Sequence, residues 1–197
     1  MSGGIMEERM SDPLERGLVY KGEAGVAWEL RLAETQEPTG AETEKNERLL
    51  RVLSLFDEQG PERAEEEVEA VPELIRLETK LDLILELLFE LVSTNEDKLR
   101  RVSIQLGAYG MEWEQDGLPP DIEDPVWVAL RLDRRLPQPI RLPARVLVVQ
   151  SKGSGHLVRV AFEHQRGELL ELLEKFIFRQ HRRQIAKMRA NQQPRRP

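Results

Sequence analysis

Residues 103–113 read SIQLGAYGMEW. Ile104 and Leu106 alternate with Ser103 and Gln105, and beyond the break Met111 and Trp113 alternate with Glu112 and Glu114. A period of two marks a strand with one buried face, so the GAYG between the runs predicts a tight corner joining two strands. Beyond this corner, VWVALRLD (126–133) places Val126, Val128, Leu130 and Leu132 on one face. IRLPARVLVVQ (140–150) and HLVRVAFEH (156–164) follow, separated by the turn SKGSG. Val158, Val160 and Phe162 oppose Leu157, Arg159 and Ala161 in the last run. Strands this closely spaced, joined by short turns, predict an antiparallel sheet closing toward a barrel.

The barrel pattern gives way to GELLELLEKFIFRQHRRQIAKMRA (167–190), whose Leu169, Leu170, Leu173, Phe176 and Ile177 recur at helical spacing and suit a cap on one barrel mouth. Upstream, VPELIRLETKLDLILELLFELVSTNED (71–97) is a heptad: Leu74, Leu81 and Leu88 stand at a, and Leu77, Ile84 and Leu91 at d. Holding a 3.5-residue period, with Leu83, Leu85, Leu87, Phe89 and Val92 widening the stripe, favours self-association over packing inside one domain. Leu at a with one Ile at d leaves a tetramer open. Farther upstream, ETEKNERLLRVLSLFDE (42–58) predicts another helix, with Leu49, Val52, Leu53 and Phe56 on its apolar side, ended by Gly60-Pro61. Val19, Val26, Trp28, Leu30 and Leu32 suggest one or two extended segments broken by Gly22 and Gly25; whether residues 14–35 join the barrel is open.

The 197 residues therefore divide into a disordered N-terminus (1–13), a strand and helix segment (14–70), a heptad oligomerisation helix (71–97), a barrel with its terminal helix (98–190) and a disordered tail (191–197). Without cysteine the chain has neither disulfides nor thiolate metal ligands, and a reducing cytoplasm is expected. The most apolar stretch, 81–92, carries Asp82, Glu86 and Glu90 and is too short to span a bilayer, so membrane insertion is not expected. Seven cations and no acid follow from Arg179 onward, so the rest of the chain carries −14 against a net −7.

VSIQLGAYGMEW, the alternating strands, RLPARVLVVQ and HLVRVAFE, and the terminal helix rich in Leu and Arg together resemble a PilZ domain over about residues 95–185. The heptad helix resembles the extension of atypical, oligomeric members. The resemblance implies a six-stranded barrel that typically binds the bacterial second messenger cyclic di-GMP. It does so through an RxxxR pair on an arm before the barrel and a D/N-x-S-x-x-G motif on the early strands. Arginine clamps a phosphate and stacks on a purine, while the Asp or Asn and the Ser hydrogen-bond the ligand.

Against that motif Gln105 replaces the Asp or Asn, Gly107 replaces the Ser, and only Gly110 matches. Before the predicted barrel, TNEDKLRR offers Lys98, Arg100 and Arg101 but no RxxxR. The spacing at Arg131/Arg135, Arg141/Arg145 and Arg179/Arg183 falls after the barrel has begun and carries no weight. Losing two charge-assisted clamps, each contributing about 1.5–3 kcal/mol, would weaken binding by orders of magnitude. Cyclic di-GMP is thus a possible ligand that is not favoured; if it binds, Arg100, Arg101, Gln105, Gly107 and Gly110 would line the site.

No metal spacing links His156, His164 and His181, which read as surface residues, and no nucleophile or phosphate-loop motif is present. An enzyme is not expected, and no cofactor or metal is implied. The basic end, with Arg182, Arg183, Lys187 and Arg189, has no interleaved aromatics, so a nucleic-acid partner is not favoured. The expectation is an α+β protein: a PilZ-like antiparallel six-stranded β-barrel with a C-terminal helix, preceded by an N-terminal helical and coiled-coil segment. Its expected function is that of a non-catalytic bacterial regulatory or adaptor protein. It would form a homo-oligomer through Leu74, Leu77, Leu81, Ile84, Leu88 and Leu91 and meet a protein partner in a signalling pathway. The alternative is a cyclic di-GMP receptor with a divergent motif.

Overall fold

The computed structural model describes residues 12–31, 38–58, 99–136, 138–163 and 167–192, with helical residues at 76–77, 80–81 and 83–84. Six strands form the barrel: β1 (Tyr20–Leu30), β2 (Arg100–Leu106), β3 (Gly110–Gln115), β4 (Pro125–Arg131), β5 (Ile140–Lys152) and β6 (Gly155–Phe162). They close in the order β1-β2-β3-β6-β5-β4, every neighbour antiparallel. The alternating residues do what their period requires. Ile104, Leu106, Met111, Trp113, Val126, Val128, Leu130, Val158, Val160 and Phe162 are all buried in one core.

β1 decides closure. The barrel takes it from the N-terminal segment, upstream of the residues 98–190 expected to hold the barrel, and seats it between β2 and β4. Tyr20 pairs with Leu106, and Trp28 with Val128. Gly22 and Gly25 do not break this strand. A side chain at Gly22 would collide with the ring of Tyr20, which lies along the strand over it, and one at Gly25 would meet Arg131 Cβ at 3.4 Å. These glycines admit close neighbours.

Two helices cover the mouth where β1 begins. α1 (Gly40–Glu58) opens with a capping box: Glu42 N–H donates to Thr39 Oγ1 and Thr39 N–H to Glu42 Oε2, both at 3.3 Å. Its Leu49, Leu50 and Leu53 join the barrel core, and its Asn46, 3 % exposed, bonds both backbone groups of Arg141, at 2.7 and 3.1 Å. That pairing fixes α1 to the start of β5. α2 (Gly167–Gln192) buries Leu169, Leu172, Leu173, Phe176 and Ile177, with Leu170 half-buried, and packs on α1 and β1. Phe176 meets Tyr20 edge to face, ring centroids 6.0 Å apart. Phe56 and Lys187 side chains, His164 and the tail 193–197 lie outside the described residues.

Of the heptad positions, Leu77, Leu81 and Ile84 are described, all helical; Leu74, Leu88 and Leu91 lie outside the described residues. Among the described residues no helix is long and apolar enough to cross a membrane.

Candidate functional site

The QLGAYG corner sits at the helix-covered mouth, between the end of β2 and the start of β3. Gly107 N–H donates to the Gly110 carbonyl at 2.9 Å, closing the turn, and Phe162 N–H donates to the Tyr109 carbonyl at 2.8 Å, tying it to β6. Gln105 Nε2 donates to Glu112 Oε1 at 2.9 Å. Glu112 Oε2 in turn accepts from Arg159 Nε and Nη2 at 2.9 and 2.6 Å. These three residues are direct cross-strand partners, Gln105 opposite Glu112 and Glu112 opposite Arg159, so register alone aligns them across β2, β3 and β6. Although Glu112 falls on the polar side of its strand, it is buried, with its side chain only 6 % exposed. A carboxylate withdrawn this far from water needs such partners.

The row continues into the chain just before β1. Asp12 pairs with Arg159 Nη1, and its Oδ1 accepts the Leu14 N–H at 3.0 Å, an Asx turn that starts the segment 12–17. Asp12 and Pro13, expected to lie in a disordered N-terminus, are thus packed on the barrel. Leu14 and Pro13 lie over Gly107, and Pro13 over Gly110. The Arg16 guanidinium stands 6.0 Å from the centre of the Tyr109 ring, at the outer reach of a cation–π contact.

Because β1 is the first barrel strand, the arm that precedes the barrel and meets the corner is Asp12–Gly17. The sequence alone points to Lys98, Arg100 and Arg101 before β2. The structure brings Gln105, Gly107 and Gly110 together but sets Arg100 and Arg101 at the opposite end of β2, about 17 Å along a strand rising about 3.3 Å per residue. Arg101 pairs there with Glu23 at 2.8 Å, both exposed. Asp12, Pro13, Arg16, Glu112 and Arg159 escaped the sequence reading. The available signal was the Asp-Pro pair, a turn-former a few residues before β1.

The family model described as "Atypical PilZ domain, cyclic di-GMP receptor" matches residues 50–190. The chain belongs to the atypical PilZ family. β1 and the arm before it precede the matched span, so the PilZ barrel here is completed by residues outside it. Among solved structures, the chain is similar to a pathogenic protein from Xanthomonas campestris, described as a new tetrameric PilZ domain self-assembled via an unusual helical bundle. The two are 28% identical, with a TM-score of 0.68, over 86% of this chain and 91% of that one. No curated protein matches the chain.

Proposed function

We propose that this PilZ protein is a non-catalytic bacterial regulatory adaptor that self-assembles through its heptad helix. In this role its barrel presents a surface to a protein partner and leaves cyclic di-GMP unbound. The observation that carries the assembly is the edge formed by Leu77, Leu81 and Ile84. They are helical, spaced by four and three residues, and 57, 57 and 52% exposed on the single chain. Leaving three large aliphatic side chains that open in sequence register is costly in water, and a second copy of the same helix removes the cost. The tetrameric helical bundle of the Xanthomonas campestris protein supports this use of the helix.

The corner supports the absence of the dinucleotide. Gln105 is engaged by a carboxylate, Pro13 and Leu14 stand over the two glycines, and the arm contributes Asp12 and Glu15 beside its single Arg16. A ligand with two phosphates would find Arg159 already held by Glu112 and Asp12, and no arginine pair on the arm. Titration calorimetry with cyclic di-GMP tests this directly. No heat is expected, and micromolar binding would overturn it.

A further inference from the structure

The arm before β1 is a turn that closes on itself. Glu15 N–H donates to the Asp12 carbonyl at 2.9 Å and Leu14 N–H to Asp12 Oδ1 at 3.0 Å, so both local bonds stay within residues 12–15. Three side chains carry this turn onto the barrel. Pro13 is buried against Gly110, Leu14 is half-buried against Gly107, and the Asp12 carboxylate pairs with Arg159 Nη1. The six strands close without the arm, and Leu18 and Val19 tether it to Tyr20, the first residue of β1.

The seat under the turn belongs to the barrel. Glu112 takes Nε and Nη2 of Arg159, and Gln105 holds Glu112 from the other side. That leaves Nη1 as the corner of the guanidinium presented to the arm. Beside it Gly107 and Gly110 leave a notch. A Cβ on Gly110 would fall 2.8 Å from the Pro13 ring, and one on Gly107 would fall 3.4 Å from Leu14 Cδ2. A fixed cation next to a glycine-lined notch suits an acid–proline–aliphatic turn, through one charge-assisted bond and close apolar contact.

We infer that the corner is a docking site for an acid–proline–aliphatic turn of a partner protein, and that Asp12–Glu15 is the resident copy which the partner displaces. The chemistry of the partner is read from the occupant already seated there: a carboxylate on Arg159, a proline on Gly110 and a leucine on Gly107. A tether of two residues gives the arm an effective concentration of about millimolar or more. The corner therefore stays closed to weak ligands and opens to a partner that adds further contacts to the same turn. This rests on the adaptor reading, in which the barrel meets a protein, and gives that partner a chemistry and a place.

The test uses the full chain carrying Asp12→Lys and Pro13→Gly, which set a cation against Arg159 and remove the ring from Gly110. The probe is a labelled, acetylated peptide of residues 12–17, DPLERG. Fluorescence anisotropy is expected to show saturable binding to this variant. Binding to the wild-type chain is expected to be about tenfold weaker, the factor set by an arm docked nine-tenths of the time. The same peptide with Asp12→Lys or Pro13→Gly is expected to lose affinity several-fold. On the wild-type chain, saturating peptide is expected to free the arm and speed hydrogen exchange at the Leu14 and Glu15 amides. Equal affinity of the two chains, equal binding of the Asp12→Lys peptide, or unchanged exchange at those amides would each overturn the proposal. Such a failure, with the multimer intact and cyclic di-GMP unbound, would remove the docking site and leave the adaptor reading standing. Heat from cyclic di-GMP on the variant would remove both.

Discussion

Pro13 rests on Gly110: a Cβ built on the glycine would lie 2.8 Å from the proline Cβ and Cγ and would overlap the Val160 carbonyl oxygen. The glycine that matches the family motif thus serves a packing role, admitting the arm on one side and β6 on the other. Gly110→Ala must move backbone as well as ring, and overpacking of this kind costs about 1–3 kcal/mol. Urea unfolding is expected to show that loss. An unchanged midpoint would contradict this close approach of the arm and β6 to Gly110.

The charged row predicts a second loss. Glu112→Ala strips Arg159 of two bonds and Gln105 of its acceptor, in a site where the carboxylate is nearly buried. Deleting a partner of buried polar groups costs about 1–3 kcal/mol, and the partial exposure of Arg159 and Asp12 keeps the expectation within that range. Denaturation of Glu112→Ala beside Glu112→Gln checks it, the amide retaining part of the network and losing less.

How far the sequence reached is clearest residue by residue. Val126, Val128 and Leu130, and Val158, Val160 and Phe162, announce buried strand faces because one side chain in two must leave water. The GAYG corner falls where the alternation stops. β1 was hidden for two reasons. It lies far upstream of β2 in the chain, and Gly22 and Gly25 imitate strand breakers, although they make room for Tyr20 and Arg131. The candidate site was half legible. Gln105, Gly107 and Gly110 were identified as motif positions, but what occupies them is decided by long-range register. Glu112, opposite both Gln105 and Arg159, looks like a solvent-facing residue of its strand until those partners are aligned.

Burial raises the Asp133 carboxyl, but hydrogen bonds from Arg135 Nε and Nη2 and from its backbone N–H outweigh that, and the pKa lies below the ordinary carboxylate value. A depressed carboxyl contributes stability that is present above its unfolded pKa, about 4, and is lost as pH falls through the folded one. Asp133→Asn is therefore expected to flatten the acid limb of the stability profile while leaving the slope above neutral pH unchanged. Thermal melts across that range read the difference. An acid limb identical to that of the wild type would contradict the assignment.

Multi-angle light scattering reads assembly through the heptad helix. The wild-type chain is expected to run as a multimer of its 22.8 kDa mass, and Leu77→Asp with Leu81→Asp, two exposed positions outside the barrel core, as a folded monomer. A wild-type monomer, or a double variant that keeps the wild-type mass, would contradict it.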